Sequence, residues 1–246
     1  MTQTICVVYK PGAYGSFISW AIDRFSDTRK QYQPSITDNP LLPDGSSHGY
    51  ASFCKIKTND DFMQGLNTAR RVDVPWGYQI FAGWPNDNIN VSLTALSKWM
   101  ATTDKLIVVN CATPEDHMLC YLRNEATMNK DRWYGMLNIS SDSELLNALQ
   151  ADIDAEYLDV AAINDQRILT IDIQSLLTSD PYDIFNKLSA HLEWAVCDKE
   201  LFVDVMLRMQ ALQISYIQKL MLLKQTSRSA ETPAELAIQN YLKGVQ

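Results

Sequence analysis

The residues best suited to chemistry lie in one short segment near the start of the chain, Lys10-Pro11-Gly12-Ala13-Tyr14-Gly15-Ser16. An apolar run at residues 5–9 precedes it and apolar residues at helical spacing follow it, so the pattern predicts a strand, a loop and a helix. The glycines permit backbone angles that larger residues resist. Such a loop can direct several N–H groups and the positive end of a helix dipole at one point, which is the chemistry of phosphate or sulfate binding.

A second interpretation of this segment stays open. The lysine of the full G-x-x-x-x-G-K-[ST] motif is missing, and corners with glycine between a strand and a helix are common in α/β proteins that bind nothing there. We name residues 10–16 the first corner.

A similar corner is predicted later in the chain. Residues 105–109 are predicted to form an apolar strand and residues 110–114 a turn, with a helix from residue 115 onwards. Thr113 can cap that helix, and Pro114 fits its first position. We name residues 110–116 the second corner. Because ligands bind beyond the carboxyl ends of parallel strands, the two corners can share one site.

The remaining elements predict the fold class. Further apolar strands are expected at residues 77–85 and 167–173, with helices after residues 141 and 180, so strands alternate with helices. This pattern predicts an α/β protein with a mostly parallel sheet flanked by helices and with a C-terminal helical extension. We expect an α/β domain at residues 1–223, then a polar hinge and a last helix at 224–246.

A long helix from about residue 200 carries a seam of apolar residues at steps of three and four, which predicts packing against a partner. The members of this long-helix seam are Phe202, Val205, Met206, Met209, Leu212, Tyr216, Leu220 and Leu223.

Composition excludes several classes of protein. A net charge of −8 argues against a protein that coats nucleic acid or an anionic membrane. The five cysteines have no C-x-x-C spacing, so we expect reduced thiols, no disulfide framework and no metal. No apolar run is long enough to span a bilayer, and we expect a soluble, cytoplasmic protein.

The order of these segments resembles the sulfotransferase family, which has a P-loop-type fold and uses the donor 3′-phosphoadenosine 5′-phosphosulfate. Residues 9–17, which contain the first corner, resemble the loop around the 5′-phosphosulfate. Residues 105–121 resemble the 3′-phosphate segment, and residues 168–192 are similar to the family's strand-loop-helix near the C-terminus. The likeness spans about residues 4–220. It implies sulfuryl transfer to a hydroxyl acceptor, with the donor held by Pro11, Gly12, Ala13, Tyr14, Gly15, Ser16, Asn110, Cys120 and Arg123.

The sequence departs from the family where the chemistry takes place. The family usually has Lys or Arg directly after the loop proline, whereas here Gly12 follows it and Lys10 precedes it. The strand at 77–85 ends without the family's catalytic histidine. Asn110 and Cys120 stand where the family has an arginine and a serine.

Other residues offer substitutes for the missing groups. Lys10 is the candidate for stabilising charge, and His48 is the candidate base, although a solvated loop histidine is the simpler interpretation. Arg123, about two turns along the second corner's helix, is the candidate phosphate ligand in place of Asn110. The simpler interpretation of Arg123 is a solvated arginine on the helix surface.

Two functions therefore remain open. The first is an active sulfotransferase-like enzyme that binds the nucleotide donor and a hydroxyl acceptor. The second is a protein of the same fold that has lost catalysis and serves in assembly, with a protein partner or a second copy bound through the C-terminal helices. A kinase is less favoured because it needs the P-loop lysine and an acidic magnesium ligand, for which Asp172 stands alone after a strand.

Overall fold

The computed structural model describes residues 3–9, 12–25, 52–56, 78–85, 104–111, 113–127, 165–194 and 198–226, with single positions within 140–147 and 235–243. These residues form five strands and the helices between and after them. The strands are β1 (Gln3–Tyr9), β2 (Ser52–Ile56), β3 (Tyr78–Pro85), β4 (Lys105–Asn110) and β5 (Ile168–Asp172). The helices are α1 (Gly15–Phe25), α2 (Pro114–Thr127), α3 (Ile173–Thr178), α4 (Pro181–Leu192) and α5 (Lys199–Thr226).

The strands form one parallel sheet in the order β2-β3-β1-β4-β5, so β1 lies at its centre. Tyr9, at the end of β1, pairs with Val109 near the end of β4, and Asn110 pairs with Asp172 at the end of β5. The carboxyl ends of β1, β4 and β5 therefore meet at one edge of the sheet. Both corners continue from this edge.

The core lies between the sheet and the helices that cover it. The helix α1 buries one face, with Phe17, Ile18, Ala21, Ile22 and Phe25 all at most 2% exposed. Each large apolar side chain buried in this way contributes about 1.5–3 kcal/mol. The rings of Phe25 and Phe202 meet edge to face at 5.3 Å, which joins α1 to α5.

The long helix α5 packs on the rest of its own chain. It contacts α1, α2, α3 and α4. The members of the long-helix seam whose side chains the structure describes are buried: Phe202, Val205, Met206, Met209 and Leu223. The described residues of the long-helix seam therefore pack against this protein's own core.

The α/β class with a parallel sheet is confirmed, as are the strands β1, β3, β4 and β5 and the starts of α2, α4 and α5. The strand β2 and the short helix α3 were not predicted. The helix α3 ends after six residues, with Ser179 as its C-cap. Asp180 then caps α4 by accepting from Tyr182 N–H at 2.9 Å. The helix α5 continues to Thr226, past the start of the predicted hinge at residue 224.

Among the helices that the structure describes, none is both long and apolar enough to cross a membrane.

Candidate functional site

The candidate site lies between β1 and β4, two neighbouring strands from which the chain continues toward opposite edges of the sheet. From β1 the chain passes through α1 toward β2 at one edge, whereas from β4 it passes through α2 toward β5 at the other. Neighbouring strands whose connections leave in opposite directions open a crevice beyond their carboxyl ends, and this crevice is the usual ligand site of such sheets. The first and second corners flank it.

The first corner has an unusual backbone. Gly12 has φ of 88° and Tyr14 has φ of 62°, so two residues in three adopt left-handed angles. Glycine adopts such angles without strain, but an aromatic residue does not. The Tyr14 carbonyl accepts from Ile18 N–H at 3.0 Å, which is the first hydrogen bond of α1. The position where α1 starts therefore depends on the backbone of Tyr14.

Close packing also holds this corner. Ala13 and Tyr14 are buried, at 0% and 3% exposed. A Cβ added to Gly15 would lie 1.9 Å from two ring atoms of Tyr9, so the buried ring at the end of β1 lies directly on the start of α1. Gly15 is thus required for close approach.

Arg123 joins the helix α2 to the first corner. Its Nη1 donates to the carbonyl oxygen of Gly12 at 3.2 Å, and its guanidinium carbon lies 4.2 Å from the centre of the Tyr14 ring. Only 8% of the residue is exposed. The interpretation of Arg123 as a solvated surface residue is therefore wrong, because α2 directs it onto the loop after β1. A cation so placed combines a charge-assisted hydrogen bond with a cation–π contact.

Hydrogen bonds within the second corner, and from β5 and α3 beside it, occupy its polar groups. Asn110 Nδ2 donates to Asp172 Oδ1 at 3.0 Å, across the ends of β4 and β5. Asp116 Oδ2 accepts from Thr113 N–H at 3.1 Å, and Thr113 Oγ1 accepts from Asp116 N–H at 3.2 Å. The predicted Thr113 cap is confirmed. Gln174 of α3 completes the set by donating to Asp116 Oδ1 at 2.9 Å.

Cys120 lies inside the protein. It is 0% exposed, and its Sγ is 3.8 Å from the Sγ of Cys111, which follows β4. Both are free thiols. The Cys120 side chain therefore packs in the core under the second corner rather than on its surface.

The sequence-predicted site residues fall into three groups. Gly12, Ala13, Tyr14, Gly15 and Arg123 come together at the first corner. Asn110 and Cys120 lie at the second. Lys10, Pro11 and His48 are outside the described residues, and the structure describes the backbone of Ser16 at the start of α1 but not its side chain. Donor binding by these residues stays a prediction.

Two residues at the site were not predicted. The hydroxyl of Tyr14 donates to Gln213 Oε1 of α5 at 2.8 Å, and both residues are buried. Gln213 follows Met209 by four residues and so continues the long-helix seam as a polar member, a signal that the sequence contained. Asp116 is 0% exposed and bonds both Thr113, just before α2, and Gln174 of α3.

No protein-family model matches the chain, and no curated protein matches its sequence.

Proposed function

We propose that this protein is a sulfotransferase-like member of the P-loop-type fold and binds the 5′-phosphosulfate end of 3′-phosphoadenosine 5′-phosphosulfate at the first corner. One observation carries the proposal. At the crevice beside the central strand, a glycine corner with left-handed backbone opens α1, and a buried arginine from the facing helix reaches it. Anions are favoured where a helix N-terminus and an arginine meet.

The reaction that follows is transfer of the sulfuryl group to a hydroxyl acceptor. The acceptor oxygen attacks sulfur, and an O–S bond forms as the bond from sulfur to the bridging phosphate oxygen breaks. The electron pair of that bond stays on the phosphate, which leaves as 3′-phosphoadenosine 5′-phosphate. The hydroxyl proton passes to a base, for which His48 is the candidate, and Lys10 is the candidate to stabilise charge on the bridging oxygen.

The second corner determines what we expect for binding of the nucleotide's 3′-phosphate. Asn110 is neutral and bonded to the carboxylate of Asp172, and Cys120 is buried beside Cys111. Among the described residues of the crevice, Arg123 is the cation that remains, and it lies at the first corner. We therefore expect the 3′-phosphate of the nucleotide to add little to binding.

The test is calorimetric titration with 3′-phosphoadenosine 5′-phosphate and with adenosine 5′-monophosphate, which lacks the 3′-phosphate. We expect micromolar binding of the first and a loss of no more than about threefold for the second, since a neutral partner contributes little to an anion. Ser16→Ala should weaken both by about tenfold. The exposed Ser143→Ala serves as a matched control. Absence of binding at millimolar nucleotide would refute the proposal.

A second candidate function, assembly through α5, is favoured by a separate observation. Leu207, Ile214 and Met221 are 52%, 52% and 55% exposed and lie seven residues apart on the outer face of α5. Apolar residues at this spacing form a stripe along a helix that a second helix can cover. We name these three residues the exposed stripe. In a dimer with two-fold symmetry, the exposed stripes of the two copies would pack against each other.

Sedimentation velocity over a micromolar concentration range tests this function. If α5 serves in assembly, the wild type associates and the triple variant Leu207→Gln, Ile214→Gln, Met221→Gln sediments as a monomer. Gln218→Ala and Gln225→Ala, on the same exposed side of α5, are the controls and should not change association. A wild type that is monomeric throughout the range would contradict the assembly function.

A further inference from the structure

The backbone of Tyr14 is held in an unfavourable conformation. A bulky residue with φ of 62° is uncommon, because its side chain crowds its own backbone. Such a conformation persists where the surrounding structure determines it, and it is concentrated at ligand sites. Contacts made by the Tyr14 side chain must therefore compensate for its backbone.

Two distant elements make those contacts. Arg123 of α2 lies over the ring, and Gln213 of α5 accepts from the hydroxyl at 2.8 Å, 199 residues away in sequence. The Tyr14 side chain is therefore held by a cation–π contact on the face of its ring and by a hydrogen bond at its hydroxyl. Since the Tyr14 carbonyl accepts the first hydrogen bond of α1, these contacts also set how α1 begins.

Gln213 is an unusual residue for its position. The other buried side chains that the structure describes on α5 are apolar: Phe202, Val203, Val205, Met206, Met209 and Leu223. Gln213 is 0% exposed, and its Nε2 has no hydrogen-bond partner among the residues that the structure describes. Burying an unsatisfied N–H costs free energy that leucine at this position would avoid. Packing therefore does not explain a glutamine here, whereas an acceptor for Tyr14 does.

We propose that Gln213 is a positioning residue of the anion-binding corner. By accepting from Tyr14 it keeps residue 14 in its left-handed conformation and so directs the first turn of α1 toward the crevice. The inference rests on the proposed function for the nature of the ligand. It does not rest on that function for the effect of Gln213 on the backbone.

The experiment compares Gln213→Met, Tyr14→Phe and the double variant with a matched control, Gln210→Met. Gln210 lies on the same helix, but its Nε2 donates to the carbonyls of Leu176 and Ser179 at 3.1 and 2.9 Å, away from the corner. Hydrogen–deuterium exchange reports on the amides of residues 12–18, and calorimetry reports the affinity for 3′-phosphoadenosine 5′-phosphate.

We expect Gln213→Met and Tyr14→Phe each to raise exchange at residues 12–18 and to weaken nucleotide binding by about tenfold, the effect of one lost buried hydrogen bond. The double variant should be no worse than either single variant, because both remove the same bond. Replacing both partners restores thermal stability close to that of the wild type, while affinity stays low. Gln210→Met should change neither exchange at the corner nor affinity.

Unchanged exchange at residues 12–18 in Gln213→Met would overturn the inference. Recovery of affinity together with stability in the double variant would also overturn it, since that result describes a structural role. If the wild type binds no nucleotide, the proposed function fails. Exchange at the corner then decides the role of Gln213 by itself, with faster exchange in support and unchanged exchange against.

Discussion

The two corners follow adjacent strands, and similar sequence patterns predict both, yet they are stabilised in different ways. The first is held by contacts from distant elements, namely Arg123 of α2 and Gln213 of α5. At the second, Thr113 and Asp116 bond each other, and further bonds come from the adjacent β5 and α3, through Asp172 to Asn110 and through Gln174 to Asp116. Polar groups of the second corner are thus bonded within the fold, whereas the first corner, where the proposed function has its ligand, is held by side chains from the helices α2 and α5.

Charge follows the same division. A buried cation reaches the first corner, whereas two carboxylates, Asp116 and Asp172, accept hydrogen bonds at the second. A phosphate near the second corner would meet like charge. Of the two, the first corner is the electrostatically suitable place for an anion.

The largest effect is expected from Gly15→Ala, because the first corner depends on close packing. The new Cβ would lie 1.9 Å from the buried Tyr9 ring, so the ring or the start of α1 must move. We expect a loss of about 3 kcal/mol in the free energy of unfolding, measured by urea denaturation.

The control for this prediction is Tyr9→Leu. Added to Gly15→Ala, it should recover about 1 kcal/mol relative to the sum of the single changes, because the smaller side chain leaves room for the Cβ. Strict additivity of the two substitutions would contradict the packing account of the first corner.

The same sequence pattern thus predicted both corners but not what distinguishes them. Periodicity and glycine placement are local signals, and they predicted β1, β3, β4 and β5, the helix α1 and the Thr113 cap. The bonds from Gln213 to Tyr14 and from Arg123 to Gly12 join residues 199 and 111 apart, and no local pattern encodes them. The strand β2 was missed because Ser52-Phe53-Cys54-Lys55-Ile56 is short and mixed in polarity.

An intermediate effect is expected at the second corner from Asp116→Ala. The substitution leaves the N–H of Thr113 and the amide of Gln174 without this acceptor, which should cost about 2 kcal/mol of unfolding free energy. Asp116→Asn keeps one acceptor oxygen and should cost about half as much. Nucleotide affinity should not change in Asp116→Asn. A lower affinity in Asp116→Asn would contradict the expectation that only the first corner takes part in nucleotide binding.

The smallest effect is expected at the opposite edge of the sheet. Burial, followed by the charge of Lys105, lowers the pKa of His191 to about 4, although hydrogen bonds to the backbones of Leu106 and Arg167 and the charge of Glu193 act in the opposite direction. The folded protein therefore binds fewer protons than the unfolded chain between pH 6.5 and 4. Stability from this group is present above pH 6.5 and is lost as the pH falls toward 4.

Because His191 is only partly buried, solvent screening reduces this loss to about 1 kcal/mol. Urea denaturation of the wild type and His191→Gln at several pH values measures it. The difference in unfolding free energy between the two proteins should change over this window, whereas parallel profiles would contradict the assignment. Exchange at residues 12–18 should not respond, since His191 lies at the starts of β4 and β5, away from both corners.

The hydrogen bond between Tyr14 and Gln213 also has a consequence for biosynthesis. A ribosome adds about 5–20 residues per second, so the 199 residues between the two partners take about 10–40 s to make. During that interval the nascent chain already contains the first corner and lacks its acceptor. The strand β1 and the helix α1 can form early, but the tyrosine hydroxyl reaches its native partner only after Gln213 has been made.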